Sequence, residues 1–343
     1  MKYLFILLLL TATFTPRISW AWGAQGHHVI CVVATQLVKN KELADFLRFR
    51  SNQMGHLCNI PDIYWRDLHK SDHLGDADHY VNPDAFEFSL DKTPQTFLEL
   101  VEQLKSKLNP QNPIEDAANR FGTLYWRTDQ LYKRAIAAGI LAAQAKPPSD
   151  PHEIQNYGLP YNEAVYEMLV SMGTMGHFVG DVSMPYHNTL DYDGWKKKRG
   201  GIHSYYENDS INEMGLTLMK KVFDRVSALP PLDVKLITVV DRMRGLSALS
   251  IADIPKVDEK DKVLAPSEDA KNKEKRKAAK RPPATEGAKA FEDLIVTELA
   301  RSARLLADFW SEIYEKSHSP VLSKYRSYKY PLQPDFIKDD FLK

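Results

Sequence analysis

The sequence lacks strand-like alternation, internal repeats and an excess of positive charge, and each absence excludes a class of protein. Strand-like alternation is nearly absent and no internal repeat is found, so neither a sheet nor a repeat array is expected. Basic and acidic residues each number 45, so the chain has no bulk positive charge with which to coat nucleic acid, and any such contact would be local. The sequence therefore predicts an all-α protein with one helical domain of ordinary size.

Cysteine is also scarce, since only Cys31 and Cys58 are present. In an exported chain the two could join in one disulfide. If they do not, Cys31 would pack as a small apolar residue or, as the sharper alternative, bind zinc.

Residues 1–21 have the pattern of a secretory signal peptide. Lys2 precedes an apolar run from Leu4 to Leu10 that is too short for a stop-transfer helix, and Ser19-Trp20-Ala21 is a small-x-small cleavage site. Cleavage would take two of the 45 basic residues and leave 43 against 45 acidic ones. We predict an exported protein, periplasmic or secreted, with a mature domain over 22–343 and no transmembrane segment.

Apolar residues recur at helical spacing along most of the mature chain. The predicted amphipathic helices cover residues 27–38, 41–49, 93–108, 114–146, the segment ending at Pro185, 203–226 and 285–316. Residues 255–286 are rich in Lys, Ala, Pro and Glu, which predicts a disordered basic insertion. The tail after His318 carries aromatic rings and prolines and is expected to wrap the body.

The stretch from Met175 to His187 reads M-G-H-F-V-G-D-V-S-M-P-Y-H. His177 and Asp181 are four residues apart and therefore share one face of a helix with a buried, apolar surround. Pro185 ends that helix, and His187 can turn back toward the same face. Such a pair is often a hydrogen-bonded core pair, but two imidazoles and a carboxylate in an apolar setting also suit a divalent metal.

Further candidate ligands are spread along the chain. Signal cleavage would place Trp22 at a new N-terminus, where its amine could bind a metal beside His27; the simpler reading is a frayed terminus. His79 lies in a predicted extended segment, and Asp62 is preferred over Asp67 as the carboxylate before it. The loop residues His69, His73, Asp76 and Asp78 are read as solvated. His203 and Glu207 repeat the spacing of four residues.

Neutral imidazoles with a few carboxylates suit zinc. The candidates exceed what one four-ligand site needs, which favours clustered ions and phosphodiester hydrolysis over a single structural zinc. The nine candidate ligands are Trp22, His27, Asp62, His79, His177, Asp181, His187, His203 and Glu207.

Four motifs resemble the superfamily of zinc-dependent phospholipases C and class I single-strand-specific zinc nucleases. They are W-G-x-x-G-H from Trp22, H-Y-V-N from His79, the Met175 to His187 stretch, and H-S-Y-Y-E-N from His203. The resemblance implies an all-helical fold and three zinc ions. One ion would be held by Asp62, His79, His177 and Asp181. The second would be held by Trp22, His27 and a bridging Asp181, and the third by His187, His203 and Glu207.

The resemblance also implies roles in catalysis and substrate binding. Asp62 would orient or deprotonate the attacking water, Arg66 would clamp a phosphate oxygen, and the aromatic ring of Tyr80 would stack on a base. The loop from Lys196 to Arg199 is either simply solvated or steers phosphate.

The motifs divide between the two branches of the superfamily, so three hypotheses stay open. W-G-x-x-G-H and H-Y-V-N are similar to the nuclease branch, whereas G-I-H-S-Y-Y-E-N, with Glu207 where nucleases have Asp, is similar to the phospholipase C branch. The first hypothesis is a phospholipase C acting on a phospholipid headgroup. The second is a single-strand-specific nuclease with 3′-nucleotidase activity, and the third is a non-catalytic zinc-binding exported protein.

Overall fold

The computed structural model describes residues 22–68, 73–230, 237–269, 275–326 and 329–342, and in these the chain is all-α. The first seven α-helices are α1 Gly23–Leu37, α2 Lys41–Phe49, α3 Ser51–Leu57, α4 Arg66–Leu68, α5 Phe97–Leu104, α6 Pro113–Phe121 and α7 Leu124–Gln144. The remaining seven are α8 Pro151–Gln155, α9 Pro160–Ser183, α10 Ile202–Ser204, α11 Ser210–Glu213, α12 Thr217–Val226, α13 Val239–Lys260 and α14 Ala284–Lys316.

Shorter helical turns connect these elements. The 3-10 turns are His73–His79, Pro83–Ala85, Leu90–Lys92, Lys105–Lys107 and Pro185–Asn188, and the π-helical turns are Pro61–Trp65 and Tyr205–Asp209. The predicted signal peptide, residues 1–21, lies outside the described residues. Within them, every helix is too short or too polar to traverse a bilayer.

Helix α9 forms the centre of the fold, with α1, α3, α7, α13 and α14 packed around it. Nearly every residue from Tyr161 to Ser183 is buried. Pro160 occupies the first helical turn, where its missing N–H costs nothing. Met184 is extended because Pro185 follows it, so the helix ends where the sequence predicts. One hydrophobic core extends from Trp22, the residue before α1, to the C-terminal tail.

Four predicted boundaries or conformations are wrong. The predicted helix 114–146 is interrupted at Gly122, whose positive φ of 94° breaks the helical path between α6 and α7. The helix predicted for residues 203–226 is interrupted between α11 and α12, at Gly215, which has a φ of 59°. Helix α5 starts only at Phe97, after a capping box between Thr96 and Glu99. His79 ends a 3-10 turn and is not in an extended segment.

Residues 255–286 are ordered wherever the structure describes them, so the predicted disorder is wrong for 255–269 and 275–286. Residues 255–260 complete α13, and 284–286 begin α14. Between these helices the chain makes two isolated antiparallel bridges, Ala265–Lys280 and Glu268–Lys277. Two ion pairs, from the buried Asp261 to Arg199 and to Arg281, hold this segment to the body. The composition of the segment does not reveal them.

The tail after His318 wraps the body as predicted, in its described part. Tyr325 and Ile337 are buried in the core. The carbonyl oxygen of Pro334 accepts a hydrogen bond from the indole of Trp65 at 2.9 Å. Asp339 pairs with the buried Arg127 at 2.8 Å.

Cys31 and Cys58 form a disulfide that joins α1 to the end of α3, with Cα atoms 6.3 Å apart. Both cysteines are fully buried against α9. A Cβ atom at Gly176 of α9 would lie 2.9 Å from the sulfur of Cys58, so only glycine admits the bond at this distance from the helix. The disulfide fixes α1 and α3 against the helix that carries His177 and Asp181.

We expect the double substitution Cys31→Ala/Cys58→Ala to lower the free energy of unfolding by about 3 kcal/mol, because a loop of this size is then free in the unfolded chain. Urea denaturation of both proteins measures the difference. With reductant present the wild type should lose the same stability, and an unchanged wild type under reducing denaturation would contradict the prediction.

Candidate metal centre

The candidate ligands come from seven elements of the chain that meet around the C-terminal half of α9. His177 and Asp181 lie on α9 itself, and His27 lies on α1. The other candidates lie at short turns: Asp62 and Glu207 on the two π-helical turns, His79 and His187 on 3-10 turns, and His203 on α10. All eight of these side chains are buried. The structure therefore gathers every predicted histidine and carboxylate ligand in one place.

The 3-10 turn that carries His187 is fixed to the end of α9. The side-chain amide of Asn188 donates to the carbonyl oxygens of Val182 and Met184 at 3.0 and 2.8 Å, and so caps the helix. The imidazole of His187 donates from Nδ1 to the carbonyl oxygen of His79 at 2.5 Å. These bonds return the chain after Pro185 toward Asp181, as the sequence predicts.

Four histidines surround Asp181. Its Oδ2 lies 3.0 Å from Nδ1 of His79 and 3.3 Å from Nε2 of His177. Its Oδ1 lies 3.4 Å from Nε2 of His27 and 3.8 Å from Nδ1 of His187. Asp62 approaches the same group, 3.8 Å from both His79 and His177. Imidazole nitrogens therefore face both oxygens of the Asp181 carboxylate.

Two overlapping groups around Asp181 have ligand atoms close enough to hold a metal. One is His79, His177 and Asp181, and the other is His27, Asp62 and His177. The first is part of the predicted first set. The second shares His27 with the predicted second set but places Asp62 and His177 beside it.

The third group is His187, His203 and Glu207, the predicted third set. Nε2 of His203 lies 2.8 Å from Oε1 of Glu207, and Nε2 of His187 lies 3.6 Å from Oε2. The two imidazoles face each other with their Nε2 atoms 3.2 Å apart.

Backbone carbonyls fix which imidazole nitrogens point into the centre. Nδ1 of His177 faces the carbonyl of Cys58 at 2.8 Å, and Nδ1 of His203 faces that of Tyr192 at 2.9 Å. A carbonyl can only accept, so each Nδ1 carries a proton, and in the neutral ring each Nε2 presents a lone pair. Lone pairs and carboxylate oxygens therefore converge on the same small volume, where a bound cation or added protons relieve their repulsion.

Buried polar atoms without partners also fit a metal site. Among the described residues, both ring nitrogens of His27, both oxygens of Asp62 and Oδ1 of Asp181 have no hydrogen-bond partner. Buried polar atoms are rarely left so, because the lost hydration costs free energy. The residues present therefore fit one or more metal ions.

The pKa shifts divide the imidazoles of the centre into two neutral rings and two that favour a positive charge. Burial lowers the pKa of His27, and burial with the nearby Arg66 lowers the pKa of His79 to about 4, so both remain neutral ligands. Burial opposes protonation of His177, but the Asp181 and Asp62 carboxylates outweigh it and raise its pKa. Burial is likewise outweighed by Glu207 at His203, whose pKa rises to about 9.

Trp22 lies beside the third group. Its backbone nitrogen donates to Oε2 of Glu207 at 3.1 Å, and its indole donates to the carbonyl oxygen of Gly180 at 2.7 Å. In the chain described here this nitrogen belongs to a peptide bond. A free amine at the same position would present its nitrogen to the centre.

A pocket of about 560 Å³ opens beside the ligands, and His79, His187 and His203 line it. Arg66, the predicted phosphate clamp, lines it too and lies 3.3 Å from Asp62. The pocket is otherwise lined by the predicted Tyr80 and by Asp76, Asn82, Asn119, Tyr186, Leu190 and Tyr192. A larger cavity of about 1200 Å³ between α7, α9 and the tail contains none of the candidate ligands, so size alone does not identify the site.

Some loop residues differ from their predicted state. Asp78 is buried, not solvated: its carboxylate accepts from Thr123 at 2.7 Å and lies 3.3 Å from Arg127. Burial, with the neighbouring Asp339, raises its pKa to about 8. Asp76 is exposed as predicted. His69 and the side chains of Asp67 and His73 lie outside the described part of the chain.

The sequence did not single out Tyr186, Tyr192, Asn82 or Asn119 as pocket residues. Asn82 lies three residues after His79, and Tyr186 lies between Pro185 and His187. This closeness to the candidate ligands was the only sign in the sequence that they could line the pocket. Tyr192 and Asn119 belong to a loop and a helix whose approach to the pocket is set by tertiary packing.

A buried pair supports the turn that carries Glu207. The hydroxyl of Tyr206 donates to Oε2 of Glu298 on α14 at 2.7 Å, and the Tyr206 ring contacts the Trp22 ring with centroids 5.9 Å apart. Burial raises the pKa of Glu298 well above its ordinary value, and the bond from Tyr206 opposes it only in part. The protonated acid is therefore favoured in the folded state.

The chain was also compared with known proteins. No model of a known protein family matches it, and no curated protein matches it significantly.

We expect Glu298→Gln to make stability less dependent on pH. A raised pKa means that the folded protein holds a proton that the unfolded chain releases above its ordinary pKa, so stability falls as pH rises. The variant should therefore gain stability relative to wild type between pH 5 and pH 8, as measured by urea denaturation. Glu292→Gln, at a half-exposed position on the same helix, is the control; an equal gain there would contradict the prediction.

Proposed function

We propose that the protein is a zinc-dependent phosphodiester hydrolase of the phospholipase C and class I nuclease superfamily, with three ions at its centre. The observation that carries the proposal is the convergence of five buried histidines and three buried carboxylates beside an open pocket. Ions in such clusters lower the pKa of water, hold phosphate oxygens and stabilise the leaving oxygen.

The ligands divide among the ions as follows. His187, His203 and Glu207 would hold one ion. The remaining two would share the Asp181 carboxylate, with His27, Asp62, His79 and His177 around it. The resemblance assigns the amine of Trp22, free once the signal is cleaved, to the ion of His27, whereas its backbone nitrogen here donates to Glu207 of the other group. Imidazole and carboxylate donors in this ratio suit zinc better than magnesium or calcium, which prefer oxygen ligands alone.

Asp62 and Arg66 are the residues assigned to the reaction itself. Asp62 is buried, both of its oxygens lack hydrogen-bond partners, and it borders the group around Asp181. It would orient the attacking water or take its proton. Arg66 lies next to it at the pocket wall, where its guanidinium would bind a phosphate oxygen.

For the substrate we propose a phospholipid headgroup first. Leu190 and Tyr192, which are 44% and 52% exposed, line the pocket and offer apolar surface to an acyl chain. Export would place the enzyme where it meets lipid. The second candidate is single-stranded nucleic acid, which is favoured by the aromatic side chain of Tyr80 in the pocket wall.

We expect removal of metal by a chelator to abolish hydrolysis of phosphodiester substrates and added zinc to restore it. Asp62→Asn should lower kcat by about a hundredfold or more, because a positioned base contributes roughly that much. Asp45→Asn, at an exposed position paired with Lys41, is the matched control. A protein that binds zinc yet hydrolyses neither phosphatidylcholine nor single-stranded DNA or RNA would instead be the non-catalytic zinc-binding protein.

The two substrate classes are distinguished by Tyr80. If nucleic acid is the substrate, Tyr80→Ala should raise KM for nucleotides about tenfold, the loss of one stacking contact, and leave KM for phosphatidylcholine nearly unchanged. Tyr80→Phe keeps the ring and serves as the control. Release of diacylglycerol by the wild type, with no nucleotide turnover, would favour the lipid.

A further inference from the structure

The loop between His187 and His203 is attached at both ends. At its start, the Asp84 carboxylate accepts hydrogen bonds from the backbone nitrogen of Leu190 and from the hydroxyl of Thr189. At its end, the backbone nitrogen of His203 donates to Asp193 at 3.2 Å. Its middle contributes the carbonyl of Tyr192, which orients the His203 ring at 2.9 Å. The position of this loop therefore decides where Nε2 of His203 points.

The second half of the loop is held by the segment between α13 and α14. The Arg281 guanidinium donates to the carbonyl oxygens of Arg199 and Gly200 at 2.5 and 3.1 Å. The backbone nitrogen of Ala279 donates to the same Gly200 oxygen at 2.8 Å. The hydroxyl of Ser267 accepts a hydrogen bond from the backbone nitrogen of Gly200 at 3.0 Å. The backbone nitrogen of Ser267 donates to the carbonyl oxygen of Lys198, also at 3.0 Å.

A buried carboxylate fixes Arg281 in turn. Asp261 accepts from Nε and Nη2 of Arg281 at 2.8 and 3.0 Å, and from Arg199 at 3.1 Å. The Asp261 side chain is fully buried and that of Arg281 is 5% exposed. One carboxylate thus joins an arginine of the loop to an arginine of the segment, and the planar two-bond geometry cannot be kept by lysine.

Gly201 is a point at which the loop packs closely against the segment between α13 and α14. It has a positive φ of 88°, and a Cβ atom there would lie 3.0 Å from that of Ala278. The backbone is therefore pressed against the segment one residue before α10, the helix that carries His203. Displacement of the segment would move the start of that helix.

We propose that Arg281, fixed by Asp261, is a positioning residue that holds the loop from Tyr192 to Gly201 so that His203 is aligned as a ligand of the third ion. This inference rests on the proposed function. It assigns residues 261–269 and 275–283 a role in the metal centre, although none of them lies among the candidate ligands.

The test is zinc binding by the mature protein, residues 22–343, titrated against a chromophoric chelator. Arg281→Ala should weaken the binding of one zinc ion by on the order of tenfold or more, as loss of a supporting contact does, and leave the affinity for the others unchanged. The affinity of Arg281→Lys for that ion should lie between those of the wild type and Arg281→Ala. Arg225→Ala removes an arginine of α12 that pairs with Asp293 of α14, and should change no zinc affinity.

A second experiment tests whether Arg281→Ala lowers zinc affinity by displacing His203. In a His203→Ala background, Arg281→Ala should weaken zinc no further, because the ligand it positions is gone. Equal losses in both backgrounds would overturn the inference, as would wild-type affinity in both Arg281→Ala and Arg281→Lys. These results leave the proposed function standing, whereas a wild type that binds no zinc overturns both.

Discussion

The buried carboxylate of Asp181 is the group on which the rest of the structure depends. It is fully buried and lies within 4 Å of four imidazoles, on α1, on α9 and on two 3-10 turns. Burial would raise its pKa, but His177, with His27 and His79, holds it well below the usual range. The carboxylate therefore stays charged in the core, and the surrounding elements must supply positive charge to it.

Close packing at α9 is what allows those elements to reach Asp181. A Cβ atom at Gly180 would lie 2.7 Å from Nδ1 of His27, so the glycine leaves room for an imidazole against the helix. His27 then stacks on His177 with ring centroids 4.0 Å apart. The disulfide and the carbonyl of Cys58 hold α3 on the same side. Glycine and disulfide thus give a rigid wall to a site made mostly of turns.

How far the sequence predicts this arrangement depends on the range of the interaction. Helical spacing and Pro185 predicted α9, its end and the return of His187, because these follow from local geometry. Gly122 was not recognised as a break, since the contact that excludes a side chain there comes from the backbone of Tyr80, which is distant in the chain. Asp78 and Asp261 were not recognised as buried, because their arginine partners are distant in the chain. The histidines were found because metal chemistry limits which side chains can serve, whereas the tyrosines of the pocket carry no such signal.

The two carboxylates outside α9 share a backbone feature that bears on the chemistry. Asp62 and Glu207 each occupy the second or third position of a π-helical turn, Pro61–Trp65 and Tyr205–Asp209. Such turns are uncommon, and they interrupt the regular ladder of hydrogen bonds at a cost that packing elsewhere must offset. Each turn is held from outside, the first by the bond from Trp65 to the tail and the second by the bond from Tyr206 to Glu298. Distant parts of the chain therefore stabilise the conformation that aims each acid at the imidazoles, which explains why the C-terminal tail and α14 belong to the architecture of the centre although neither contributes a ligand.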